Sequence, residues 1–206
     1  MVDDIVRQVL PEFQNAGRTL LACRCNNSHS GNLSVRRDDR IVITRTGAML
    51  GDLSAGDLLA TTPQPTPDER HRASTELPVH LQIYEHTDHL AVAHGHALSA
   101  VAAAWLTDEL KPIDVEGAYY FGSIPVLEHV PATASPELGQ ALAAILNEKP
   151  IVILRGHGVF AAGDTLERAT QRITSVNDSA ELFVRATLLR LDTDQLARAA
   201  YLDFSK

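Results

Sequence analysis

Lysine, cysteine and aromatic residues are all scarce in this 206-residue chain, and positive charge is outweighed. The three lysines, Lys111, Lys149 and Lys206, fall in expected loops or at the end. That placement disfavours covalent chemistry through a lysine Schiff base, which needs a desolvated amine. Cys23 and Cys25 are the two cysteines. Their spacing rarely makes a disulfide, and no second pair completes a zinc site, so they read as small, partly buried residues. A net charge of −8 argues against a general nucleic-acid binder. An anionic substrate would then need local donors, such as backbone N–H groups and helix N-termini. No run of about 18 apolar residues occurs, so no membrane span is expected. The acidic start, Met1-Val2-Asp3-Asp4, does not look like a signal peptide, and a cytoplasmic protein is expected. The sequence also lacks Gly-x-x-x-x-Gly-Lys-Ser/Thr, Gly-x-Gly-x-x-Gly and Gly-x-Ser-x-Gly, and with them the P-loop, dinucleotide and serine-hydrolase signatures.

Apolar residues make up 45% of the chain, enough for a sizeable core, and the length fits one domain over 1–206. Apolar residues at near-helical spacing predict a helix over 3–22, with a disturbance at Pro11. Residues 32–36 and 41–44 read as a hairpin turning at Asp38-Asp39. Residues 57–62 read as a further strand, and the proline-rich 63–67 as an extended loop. Helices are expected at 77–87, 97–106, 136–146 and 165–190, the third with Pro136 in its first turn. Strands are expected at 90–94, 124–126, 151–154 and 159–162. Strands and helices interleave, so the class is α/β.

Two of those strands end in histidine. Leu90-Ala91-Val92-Ala93 leads into His94-Gly95-His96, and residues i and i+2 of a strand share a face. Ile151-Val152-Ile153-Leu154 leads into Arg155-Gly156-His157-Gly158. Three imidazoles with a fourth position open is a common arrangement for a catalytic zinc ion. A histidine in general is a surface or core residue, and His29, His71, His80, His86, His89 and His129 receive that reading. His94, His96 and His157 stand apart by their strand-end positions and glycine neighbours.

Ser74-Thr75-Glu76 precedes the helix at 77–87. A hydroxyl there can cap the helix, or the same N–H groups can hold a phosphate. Glu76 itself can be explained simply as a carboxylate favoured by the helix dipole. Gly31-Asn32 and Thr46-Gly47 are two further small polar corners. Each alone is turn chemistry; together with Ser74-Thr75 they offer hydroxyls, an amide and backbone donors suited to an anion.

In order, these pieces resemble the class II aldolase/adducin family. The resemblance rests on Gly31-Asn32-Leu33-Ser34-Val35-Arg36, Ile43-Thr44-Arg45-Thr46-Gly47, Ser74-Thr75-Glu76, Val92-Ala93-His94-Gly95-His96, Glu116-Gly117-Ala118-Tyr119-Tyr120 and Leu154-Arg155-Gly156-His157-Gly158. It is strongest to the family's L-fuculose-phosphate aldolases. It implies a three-layer α/β/α sandwich around a mostly antiparallel, mixed sheet, assembled as a homotetramer. It implies one divalent metal per chain, Zn2+ or else Mn2+ or Co2+, on His94, His96 and His157. Glu76 matches the family's acid/base, which can also ligate the metal. Gly31, Asn32, Thr46, Gly47, Ser74 and Thr75 match its phosphate-binding positions. Tyr201 stands where a tyrosine near the C-terminus serves aldehyde recognition in a neighbouring subunit.

The implied reaction splits a 1-phospho-ketose, such as L-fuculose 1-phosphate, into dihydroxyacetone phosphate and a lactaldehyde-like aldehyde. A metal acting as Lewis acid stabilises the enediolate charge, and a carboxylate removes the proton from the far hydroxyl. Alternatives on the same scaffold are a methylthioribulose-phosphate dehydratase, a pentulose-phosphate 4-epimerase and a phospho-keto-acid decarboxylase. A non-enzymatic adducin-like module is a further alternative, but adducin heads lack the three histidines.

Overall fold

The computed structural model describes residues 3–201. Eight strands form one sheet: β1 (Asn32–Arg37), β2 (Arg40–Thr44), β3 (Leu58–Thr61), β4 (Ala91–Gly95), β5 (Glu109–Leu110), β6 (Ile124–Leu127), β7 (Ile151–Leu154) and β8 (Gly158–Gly163). Their order across the sheet is β3-β2-β1-β4-β8-β7-β6-β5. Every neighbouring pair is antiparallel except β6 with β7. The expected hairpin is β1–β2, closed through Asp38 with φ of 52°.

Helices cover both faces. Period-two alternation sends Ala91, Ala93, Ile151, Ile153, Val159 and Ala161 to one side. There they meet α1 (Asp4–Ala22), α4 (Leu98–Ala103) and α7 (Leu166–Leu188) through Phe13, Ala100, Ile173 and Val176. Val92, Val152, Leu154, Phe160 and Ala162 point the other way. There they meet α3 (Leu77–His86) and α6 (Pro136–Leu146) through Val79, Ile83, Leu138 and Leu142. The result is the α/β/α sandwich expected from the resemblance. Phe13 and Phe160 are fully buried, each contributing about 1.5–3 kcal/mol relative to exposure.

Several expectations change in detail. α1 runs unbroken through Pro11. Pro11 and Arg7 are both exposed, so the Arg7 carbonyl that loses its N–H partner faces solvent. The extended proline run ends one residue early, because Pro67 opens α2 (Pro67–Arg72). Thr66 and Glu69 form a capping box there, and a proline φ suits the first helical turn. Residues 55–57 make a 3-10 turn, so β3 starts at Leu58. α4 stops at Ala103, short of Leu106. β5 and α5 (Val115–Phe121) have no counterpart in the sequence expectations, and neither do α2 and a 3-10 turn at Leu50–Asp52. The C-terminal segment is α8 (Thr193–Ala200), with Tyr201 at its end.

Candidate metal centre and active site

The strand directions decide where the polar corners meet. β4 and β7 are both antiparallel to β8, which lies between them, so they run the same way. Their C-terminal ends therefore reach the same edge of the sheet. β1 runs against β4 with Asn32 opposite His94, so Gly31 and Asn32 start at that edge. β2 runs against β1, and its end delivers Arg45, Thr46 and Gly47 there as well. Ser74 joins them because its N–H bonds the Thr44 carbonyl at 2.9 Å, and Thr46 N–H bonds the Arg72 carbonyl at 3.2 Å.

These residues line one polar cavity of about 210 Å³. It contains all three histidines, Glu76, and all six expected anion-site residues: Gly31, Asn32, Thr46, Gly47, Ser74 and Thr75. Larger cavities open elsewhere, one of about 650 Å³ beside Tyr120 and Arg168. Among the described residues, only His94, His96 and His157 form a compact set of metal-ligand atoms, all within 4.8 Å of one another.

The imidazoles are prepared as metal ligands. His94 is 1% exposed, and its Nδ1 lies 3.0 Å from the Val159 carbonyl oxygen. A carbonyl only accepts, so Nδ1 carries the proton and Nε2 is left bare. That Nε2 is 3.1 Å from His96 Nε2. Two nitrogens on a tetrahedral zinc ion, each about 2.0–2.1 Å from it, stand roughly 3.3 Å apart. The His157 ring lies 4.8 Å from that of His94 and 5.0 Å from that of His96. His157 Nδ1 is buried without a hydrogen-bond partner, an orphan that a bound ion or ordered water relieves. Burial pushes the His94 pKa well down, helped by His157 and His96. Burial, then His157, lowers that of His96. Both rings stay neutral, the state a cation requires. The residues present fit a divalent metal.

Glu76 occupies the N-cap of α3, yet its side chain does not cap the helix. It is 3% exposed. One carboxylate oxygen accepts from Thr133 Oγ1 at 2.5 Å and the other from Ala134 N–H at 3.2 Å. The helix-dipole explanation therefore does not account for where this carboxylate points. Glu76 lines the same cavity as the histidines without joining their compact ligand set.

Two residues that shape the site carry no motif in the sequence. Asn26 Oδ1 accepts from His96 N–H at 3.0 Å. The same amide fills the space beside Gly31, where a Cβ would stand 2.5 Å from Asn26 Nδ2 and 2.6 Å from the His94 carbonyl oxygen. With φ of 79°, position 31 requires glycine on both counts. Thr133 comes from the segment after β6, which carries no periodic signal. Tyr201 is not brought to the cavity in its own chain; its hydroxyl lies beside Gly122, with Lys111 and Arg198 nearby.

Comparison with known proteins agrees with this geometry. The chain is 34% identical over 161 residues to methylthioribulose-1-phosphate dehydratase from Acidiphilium cryptum, spanning 71% of this chain and 76% of that protein. It is 28% identical over 169 residues to 3,4-dihydroxyphthalate decarboxylase from Rhodococcus jostii, spanning 79% and 65%. The solved structure of L-fuculose-1-phosphate aldolase from Thermus thermophilus superposes with a TM-score of 0.82 at 32% identity, covering 87% of this chain and 94% of that one. The model of the class II aldolase and adducin N-terminal domain matches residues 12–184, a stretch holding every strand and every cavity-lining residue. On that match, the chain belongs to the class II aldolase and adducin N-terminal domain family.

Proposed function

We propose that this chain is a zinc-dependent aldolase that splits a 1-phospho-ketose into dihydroxyacetone phosphate and an aldehyde. The observation that carries the reading is that the three clustered imidazoles and the buried Glu76 side chain share one cavity with the six-residue anion corner. His94, His96 and His157 would hold the cation, with Glu76 beside them. A divalent cation there supplies Lewis-acid stabilisation of negative charge at the ketone end. Ser74, Thr75, Asn32 and the Thr46-Gly47 turn bind the phosphate and so fix which carbons face the histidines. Glu76 takes the proton of the hydroxyl on the far side of the breaking bond, and that oxygen becomes the aldehyde carbonyl. The electron pair of the broken bond stays on the phosphate-bearing half, which takes a proton to become dihydroxyacetone phosphate.

A homotetramer fits the same reading. Leu98, Trp105 and Leu106 around α4, and Val115 on α5, are exposed apolar side chains that an assembly would cover. In that assembly Tyr201 would serve aldehyde recognition in a neighbouring copy.

The second reading is a dehydratase, favoured by the 34% identity to the Acidiphilium cryptum enzyme. The same carboxylate would then take a proton from the carbon beside the ketone, and a hydroxyl one carbon further would leave as water. One experiment separates the two. Metal-loaded protein is offered a panel of 1-phospho-ketoses, including L-fuculose 1-phosphate and methylthioribulose 1-phosphate. The aldolase reading predicts dihydroxyacetone phosphate; a dehydrated diketone with no dihydroxyacetone phosphate establishes the second reading.

A further inference from the structure

A buried polar chain outside the histidine cluster ends at the cavity wall. Tyr84 and His80 on α3 face Ser34 and Asn32 on β1. Tyr84 Oη lies 2.7 Å from Ser34 Oγ, and Ser34 Oγ lies 2.6 Å from His80 Nδ1. His80 Nε2 lies 2.6 Å from Asn32 Oδ1. All four side chains are buried, His80 and Ser34 completely. Asn32 reaches the cavity, on the strand position opposite His94.

Each hydrogen in this chain fixes the next. Asn32 Oδ1 can only accept, so His80 Nε2 carries the ring proton. His80 Nδ1 then accepts, and the donor is the Ser34 hydroxyl. Ser34 has spent its hydrogen, so its oxygen accepts from the Tyr84 hydroxyl. The chain runs in one sense: Tyr84 to Ser34 to His80 to Asn32. Burial supports it, pushing the His80 pKa down to about 3 and that of Tyr84 up, so the imidazole stays neutral and the phenol keeps its proton. With its oxygen held inward, the Asn32 amide turns its NH2 toward the cavity. Reversing the chain would require the amide to flip and show an acceptor, which repels phosphate oxygens.

We propose that His80 is a positioning residue for the anion end of the site: its Nε2–H holds the Asn32 amide with the NH2 toward the cavity, which selects a phosphate-type oxyanion there. The proposal rests on the reading that the substrate is phosphorylated and deepens it.

The test has a spectroscopic arm and a binding arm, both on full-length, metal-loaded protein. Nitrogen-15 NMR reports which ring nitrogen of His80 is protonated, with His80→Gln identifying the signal. Isothermal titration calorimetry reports inorganic phosphate binding to wild type, His80→Gln and His80→Leu. The expected result is an Nε2–H ring, with phosphate affinity about tenfold weaker in His80→Leu, the worth of one oriented hydrogen bond. His80→Gln should stay within about threefold of wild type, because its amide N–H can replace Nε2–H. An Nδ1–H ring, or equal phosphate affinity in all three proteins, overturns the proposal. If His80→Leu does not fold, the wild-type ring and His80→Gln decide: an Nδ1–H ring, or a tenfold loss in His80→Gln, overturns it. A wild type with an Nε2–H ring that binds no phosphate overturns the phosphorylated-substrate reading instead, and with it the oxyanion selection.

Discussion

Replacing Glu76 with glutamine keeps the side chain's shape and removes its ability to exchange protons. The structure indicates that the protein will accept the change. Glutamine can keep its oxygen on Ala134 N–H, and its NH2 can face Thr133 Oγ1, whose hydroxyl rotates from donor to acceptor. Two charge-assisted hydrogen bonds become neutral ones, a loss of roughly 1–2 kcal/mol of stability. His94, His96 and His157 are untouched, so metal content should stay near wild type. Turnover should fall by about 10²- to 10⁴-fold, the range for a positioned general acid/base. That corresponds to roughly 3–5 kcal/mol of barrier. The assay pairs metal content with initial rates of dihydroxyacetone phosphate release and a denaturation curve. A metal-loaded, folded Glu76→Gln protein with turnover within a few-fold of wild type would refute the acid/base role. Thr133→Val serves as a comparison. It removes the 2.5 Å hydrogen bond but leaves the carboxylate, so its loss should be smaller and Thr133→Ser should restore it.

Gly158→Ala should weaken metal binding. A Cβ there would stand 2.5 Å from the Gly95 carbonyl oxygen and 2.9 Å from His94 Cε1. The imidazoles must spread, and metal affinity should drop at least about tenfold, on the order of 1.4 kcal/mol; an unchanged affinity by competition with a chelator would contradict the packing argument. Acid should destabilise the metal-free chain. His80 is held neutral down to about 3 in the fold, against an ordinary value of 6.5, so below 6.5 the unfolded chain takes up a proton that the folded chain refuses. Its share of stability is complete above 6.5 and falls by about 1.4 kcal/mol per pH unit toward 3. His94, lowered by burial and by His157 and His96, shifts in the same direction and steepens the decline. Urea unfolding at pH 7 and pH 5 should show a loss of about 2 kcal/mol from His80, with His94 adding to it, and a smaller loss in His80→Gln; a flat profile would contradict the buried neutral histidines.

What the sequence made legible is what local pattern encodes. Ile151–Leu154 is a continuous β-branched and leucine run that a strand buried on both faces needs, and its bounds match β7. Pro136 starts α6 by its ring geometry, which acts within the first turn; the Ser135 side chain that caps it was not read from the sequence. His94 and His96 share a face by strand parity alone. That β4 and β7 run the same way, and so bring His157 to His94, depends on β8 lying between them, which no local signal states. Asn26 and Thr133 reach the site along irregular loops whose paths are set by packing. α5 contains Gly117, pressed against Ser179 of α7, where a Cβ would come within 2.2 Å of the serine oxygen. That glycine marks a helix–helix approach and disguises a helix in the sequence. Glu76 had the helix-dipole reading from its neighbours and the acid/base reading from the resemblance alone, and its bonds to Thr133 and Ala134 hold it in the cavity wall without capping the helix.

A cation held by His94, His96 and His157 is central to the proposed chemistry. The direct measurement is metal content per chain after stripping with a chelator and reloading with zinc, by plasma mass spectrometry, for wild type and His157→Ala. About one ion per wild-type chain is expected, with a sharp loss in His157→Ala and catalytic activity that returns in step with metal content. Wild-type protein that stays folded and fully active with the metal removed would contradict it.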